Sequence, residues 1–290
     1  MAKELRGKPV ADALRAQLEA DIAAWRTRDV TPRMVTVLVE GDPASLCYAR
    51  AKGRVAAKLG VAYEVRTLPG HVTQAQLIQC IQSLNRDPAV HGVMLELPLP
   101  GHLSADEALR HLSPIKDVDG LTPANQMATV SGAPGIYPAT PQACIRLLKH
   151  YGYTLAGRHV ALVGCGKTVG MPLFHLLVRE GATVTACHAG TPDLTPHLKR
   201  ADIAFVAVGK AGLIRPEMVH PGLVVVDAGI NELNDGIVGD VSPETAAIVA
   251  ALTPTPGGVG AVTTMQLFAN LLRAMHLQHA AGVLNVPAAV

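Results

Sequence analysis

The sequence predicts an α/β protein of two domains, the second of them Rossmann-like. Three observations carry this. Short apolar strands alternate with amphipathic helices, a glycine-rich turn directly follows one strand, and a Pro/Gly-rich segment at residues 131–141 separates two runs of the alternation.

Residues 10–25 read as an amphipathic helix, with Leu14, Leu18 and Ile22 at helical spacing. A strand at 34–39, the turn Gly41-Asp42-Pro43 and a helix at 44–59 follow. Residues 62–68 read as strand, 74–85 as helix and 93–97 as a buried strand, an order that implies parallel strands joined by crossover helices. Beyond the hinge and a helix at 142–150, strands are expected at 159–163, 183–187, 203–207 and 223–227, with helices near 171–179 and 194–200. A long helix at 262–279 is expected to return to the first domain. The expected division is therefore 1–140 plus 263–290 for the first domain and 141–262 for the second.

Composition narrows the partners. The chain has 290 residues, 49% apolar and 17% charged, enough to bury full cores. A net charge of +2 offers no field for a nucleic-acid backbone or an anionic membrane, so small molecules or a second copy of the chain are expected. Five scattered cysteines without CxxC spacing argue against a disulfide framework or a zinc site and fit a reducing compartment. With no signal-like or membrane-spanning apolar run, a cytoplasmic protein without a metal is expected.

Gly164-Cys165-Gly166-Lys167-Thr168-Val169-Gly170 stands between a strand and a helix. Glycines let backbone approach a pyrophosphate, and the helix N-terminus offers N–H groups to its charge. About twenty residues later, Cys187-His188-Ala189 lacks the carboxylate that meets the ribose of NAD and the arginine that suits NADP; the choice stays open. Ser45, Tyr48 and Lys52 share one helix face, and Tyr beside Lys can form a proton-transfer pair, although spacing alone favours an ordinary exposed neighbour pair. Glu96-Leu97-Pro98-Leu99-Pro100 ends a buried strand where α/β proteins place ligand groups, and Lys116-Asp117-Val118-Asp119-Gly120 sets carboxylates in a turn.

These segments, in order with Gly41-Asp42-Pro43-Ala44-Ser45, Thr140-Pro141, Gly229-Ile230-Asn231, Gly239-Asp240-Val241 and Pro254-Thr255-Pro256-Gly257-Gly258-Val259-Gly260, resemble the methylenetetrahydrofolate dehydrogenase/cyclohydrolase family over about residues 8 to 275. The resemblance implies a three-layer α/β folate domain beside an NAD(P) domain, a homodimer, and folate bound between domains. It implies that Lys52 is the acid/base group of methenyl-ring opening, that Tyr48 stacks on the pterin and orients Lys52, and that Asp119 binds the pterin edge. Ser45, Leu97, Pro98, Pro256, Gly257, Gly258 and Gly260 are the further expected folate contacts. His188, Ala189, Val208, Gly209 and Ile230 join the glycine loop as expected cofactor contacts.

The chain departs from the family pattern at Glu96, where a glutamine is usual, and at Cys165, Gly166 and Ala189, where the family often holds the NADP phosphate. A carboxylate at 96 favours charged Lys52, so weak methenyl hydrolysis is expected unless Glu96 itself acts as base. Three readings follow: a dehydrogenase with a weakened cyclohydrolase step, a folate-dependent one-carbon transferase without the redox step, and a non-catalytic folate or nucleotide sensor. Retention of Tyr48, Lys52 and Asp119 argues against the last.

Overall fold

The computed structural model describes residues 2–233 and 236–284. Lys3–Glu4 (β1) and Gly7–Arg26 (α1) open the chain, followed by Arg33–Val39 (β2), Pro43–Leu59 (α2), Ala62–Leu68 (β3), Gln74–Arg86 (α3), Gly92–Leu95 (β4), Ala105–Arg110 (α4) and Pro123–Ser131 (α5). The second half comprises Ala139–His150 (α6), His159–Val163 (β5), Gly170–Arg179 (α7), Thr183–Cys187 (β6), Thr195–Arg200 (α8), Ile203–Val206 (β7), Val224–Asp227 (β8), Asn231–Leu233 (β9), Gly236–Val238 (β10), Ala251–Leu252 (β11) and Val259–Ala280 (α9). Among the described residues two compact units result: 14–137 with 267–284, and 2–13 with 138–266.

The first unit is built on a parallel three-stranded sheet in the order β3-β2-β4. Central β2 is buried along 34–39, which is why it reads as an unbroken apolar run apart from Thr36. Thr36 is satisfied by a 2.8 Å hydrogen bond with the Tyr63 hydroxyl. Val35, Val37 and Val39 pack with Leu77, Ile81 and Leu84, the apolar stripe of α3. That helix starts where the sequence signals it: the Thr73 hydroxyl accepts the Gln76 N–H at 3.3 Å, and the Gln76 side chain accepts the Thr73 N–H at 3.0 Å.

Gly92 of β4 lies against Val118 and Leu271, where a Cβ would come within 2.7 Å of the Leu271 methyl. Two polar side chains of α9 secure this approach. Asn270 donates to the carbonyls of Val118 (2.8 Å) and Tyr137 (2.9 Å), and Gln278 donates to those of His91 (2.7 Å) and Ile115 (2.9 Å). Asn270→Ala leaves two carbonyls short of a donor and is expected to cost about 2 kcal/mol, read as a lower urea midpoint with unchanged slope.

The second unit carries a six-stranded, all-parallel sheet in the order β1-β11-β8-β7-β5-β6. Its first strand corrects the expected division: residues 1–13, assigned to the first domain from sequence, belong here, because Lys3 and Glu4 pair with Ala251 and Leu252. A two-residue strand leaves no periodicity to read. The boundary at 137/138 falls inside the Pro/Gly-rich segment, and the other two divisions fall within α1 and α9. The chain leaves β5 for β6 on one side and returns to β7 on the other. This opens a crevice at the carboxyl ends of β5 and β7, where open α/β sheets bind ligands.

Candidate active site

Helix α2 begins at Pro43, with Asp42 before it accepting the Ser45 N–H at 3.2 Å and the Ser45 hydroxyl at 2.7 Å. Ser45, expected as a folate contact, is thus turned to another duty: it is 4% exposed and its hydroxyl is committed to starting the helix. Tyr48 and Lys52 follow one and two turns later, both partly accessible. Glu96 stands just past β4, its N–H donating to the Val37 carbonyl at 2.9 Å. The strand expected to reach 97 stops at Leu95, since Pro98 has no N–H to continue a ladder.

Lys52 Nζ donates to both Glu96 oxygens, at 2.8 and 2.7 Å, and the two side chains are only 11% and 7% exposed. Two-oxygen contact between charged groups out of water is self-compensating, while either partner alone would suffer a large desolvation penalty. Tyr63 stands nearby: Gly53, next to Lys52, would place a Cβ 3.2 Å from its ring. Burial, only partly opposed by the bond from Thr36, pushes the Tyr63 phenol up to about 12, with the Glu96 charge adding to the rise.

The turn carrying Asp119 is held by its neighbours. Buried Lys116 donates to the carbonyls of Leu84 (3.1 Å) and Asp87 (2.7 Å). Buried Asp117 accepts the N–H groups of Gly120 (2.9 Å) and Thr122 (2.7 Å) and the amide of Asn125 (3.0 Å). Two of the motif's charges therefore shape the loop, and Asp119 alone retains accessible surface. Although part of the residue reaches solvent, burial pushes its carboxyl up to about 7; the charges of Asp117 and Glu96 add to this and Lys52 opposes it. Leu97 packs on the core of this unit, while Pro98 is exposed.

In the second unit, Gly164 takes φ +109 and donates its N–H to the Cys187 carbonyl at 2.9 Å. A Cβ here would strike the Ala207 carbonyl, and one at Gly170 would strike that of Gly164, so the loop closes on itself only with glycine at both places. Gly166 faces open space, and Lys167 and Thr168 are exposed. Val169 precedes α7 without a side-chain capping bond, but the Met171 N–H already donates to the Gly166 carbonyl at 3.0 Å and Pro172 has none, so this helix start offers a phosphate less than an unencumbered one would. These residues fit a nicotinamide dinucleotide. Cys165 donates weakly to the Cys187 carbonyl at 3.6 Å, His188 and Ala189 are exposed, and the His188 Nδ1 accepts the Gly190 N–H at 3.0 Å. Val208 (45% exposed) and Ile230 (55% exposed) display apolar groups beyond the carboxyl ends of β7 and β8, and Gly209 turns the chain at φ +76.

Of the expected glycine-rich closing segment, Pro256, Gly257 and Gly260 are exposed. Gly258 is instead buried: Gly7 presses on its carbonyl, and the Gly257 carbonyl accepts the Gly7 N–H at 2.8 Å. The sequence places Asp42, Asp227 and Asp240 within ordered motifs but assigns them no role, and it leaves Asn270 unmarked. Of these, Asp42 carries a signal of its structural role, an Asx-Pro pair before a helix.

Fold and sites together define a two-unit α/β enzyme, with a buried lysine–glutamate pair in one unit and a dinucleotide-binding sheet in the other. The chain belongs to the tetrahydrofolate dehydrogenase/cyclohydrolase family: residues 5–119 match its catalytic domain and residues 138–279 its NAD(P)-binding domain. It is 50% identical over 279 residues to bifunctional protein FolD of Heliobacterium modesticaldum, covering 96% of this chain and 97% of that one. The bifunctional FolD of Campylobacter jejuni superposes with a TM-score of 0.92 at 34% identity, covering 96% of this chain and all 100% of that one. The Trypanosoma brucei enzyme, solved with NADP cofactor and an inhibitor, gives 0.90 at 33% identity over 96% and 98% of the two chains. None of these relatives supports the one-carbon-transfer alternative.

Proposed function

We propose that the protein oxidises methylenetetrahydrofolate to methenyltetrahydrofolate with NAD(P) and hydrolyses the methenyl ring slowly. The observation that carries the second half is the buried Lys52–Glu96 pair, in which both carboxylate oxygens, at 2.7 and 2.8 Å, engage the amine that ring opening uses. Asp119 accepts hydrogen bonds from the amino and ring N–H groups of the pterin, a donor pair that a carboxylate matches. Tyr48 provides the ring face beside Lys52, with Leu97 and Pro98 as further folate contacts on this unit; Pro256, Gly257 and Gly260 keep the folate role that the resemblance gives them.

The loop from Gly164 to Gly170 would hold the dinucleotide diphosphate, with Val208 and Ile230 offering apolar surface to its rings. Bound there, the nicotinamide supplies a hydride acceptor for the methylene carbon. The chain's own contribution is placement of the folate and control of protons. Cys165, Gly166 and Ala189 carry no cation for an extra phosphate, which supports use of NAD alongside NADP. The resemblance also brings a cytoplasmic homodimer, which sedimentation and fractionation check.

The test is one assay with purified protein, methylenetetrahydrofolate and either dinucleotide, following reduced nicotinamide and methenyl absorbance. Reduction with accumulating methenyl product is the expected result. Tight folate binding without reduction would overturn the reading in favour of one-carbon transfer.

A further inference from the structure

Asp240 is neither a folate nor a dinucleotide contact, yet it is wholly buried and holds four donors. One carboxylate oxygen accepts the N–H groups of Val208 (2.6 Å) and Gly209 (3.0 Å); the other accepts those of Lys210 (2.8 Å) and the Asn231 side chain (2.9 Å). Three successive backbone N–H groups converging on one point form an anion-binding nest, and here the protein fills that nest with its own carboxylate.

The nest stands at the carboxyl end of β7, on the crevice identified from the strand order. With its N–H groups drawn inward, the backbone at 208–210 has one shape, and Val208 is displayed outward at 45% exposure. Its Cγ2 stands 3.2 Å from where a Cβ on residue 164 would project, so the loop abuts the glycine turn directly. Asp227 locks the arrangement from below. It accepts the N–H groups of Asp240 (3.2 Å), Val241 (2.9 Å) and Gly229 (2.9 Å), which orients Asp240 and the segment that displays Ile230. The fit is tight, since a side chain at Gly229 would strike the Asp240 carboxylate and one at Gly239 would strike that of Asp227.

We infer that Asp240 is a positioning residue for the dinucleotide: it fixes Val208, and through it the wall of the crevice beside the Gly164 turn, without touching the cofactor. The inference rests on the proposed dinucleotide site. Asparagine at 240 keeps the size but turns one acceptor oxygen into a donor facing other donors, so half of the nest opens.

The experiment compares Asp240→Asn and the milder Asn231→Ala with the unaltered protein, by calorimetric titration of NADP and NAD and by dehydrogenase kinetics. Asp240→Asn should raise the dinucleotide Kd and KM by about tenfold or more, and Asn231→Ala by about threefold, while the folate KM stays within a factor of about two. Equal dinucleotide affinity in the variants and the unaltered protein overturns the inference, as does a rise in both KM values together. Where Asp240→Asn does not fold, the Asn231→Ala result decides. No dinucleotide uptake by the unaltered protein defeats the cofactor site itself, a separate failure seen before any variant is made.

Discussion

Glu96→Gln is expected to raise the rate of methenyl-ring hydrolysis by about tenfold or more. The lysine amine that the reaction needs now sits between two carboxylate oxygens at 2.7 and 2.8 Å, in a place with little water to compete for it. With both oxygens on it, the amine has its donors turned to Glu96 and not to a substrate. A neutral amide keeps the volume and one acceptor oxygen but withdraws the charge and the second acceptor, which loosens the hold on the Lys52 amine. The loss of stability should stay well below the ~3 to 5 kcal/mol of an orphaned buried charge, because the amide oxygen still accepts a hydrogen bond from Lys52. Stopped-flow decay of methenyltetrahydrofolate absorbance measures the rate. A neutral or slower variant would remove the idea and leave Glu96 as a base in its own right. The dehydrogenase rate serves as the internal comparison, since hydride transfer makes no demand on a free amine at residue 52.

Asp119→Asn is expected to move stability and function in opposite directions. Burial pushes the Asp119 carboxyl up to about 7, above the ~3.9 of an unfolded aspartate, so the folded protein binds this proton more tightly than the unfolded chain. Between about pH 4 and 7 unfolding therefore releases a proton, and the stability contributed by the neutral acid is lost as pH rises through 7, at most about 1.4 kcal/mol per pH unit. Asparagine cannot ionise. The variant should match the unaltered protein in thermal unfolding near pH 4 and melt higher at pH 8. Some slope should persist, because burial also raises the carboxyl of Asp117 and pushes Asp227 up to about 6. The folate KM should rise about tenfold or more, since the ionised carboxylate is the form that accepts two donors from the pterin. In the unaltered protein, folate affinity should accordingly improve from pH 6 to pH 8. A variant that melts lower at pH 8 and binds folate normally would show that Asp119 belongs to the framework of the turn, as Asp117 does.

Much of the fold and part of the site are legible in the amino-acid sequence alone. Apolar alternation announces parallel strands, because a buried parallel strand must be apolar on both faces. The glycines at 164 and 170 announce a tight turn. Tyr48 and Lys52 fall on one helix face by spacing alone, and Glu96 at a strand end is conspicuous once the ordered motifs point to folate chemistry. Each of these signals is local, confined to one helix turn, one strand or one loop.

Tertiary structure decided which of several similar residues is available for chemistry. Nothing in Lys116-Asp117-Val118-Asp119 says that the first aspartate is consumed by Gly120, Thr122 and Asn125 while the second keeps its surface. Nor does a serine three residues before a tyrosine say that its hydroxyl will serve the helix start. Asp240 reaches N–H groups some thirty residues earlier in the chain, and Asn270 reaches the Val118 carbonyl across 152 residues. The reason is physical. Periodicity records which face of an element is buried, and a sequence carries that record residue by residue. A polar side chain buried against distant backbone instead answers to donors and acceptors whose positions exist only once the chain has folded around it.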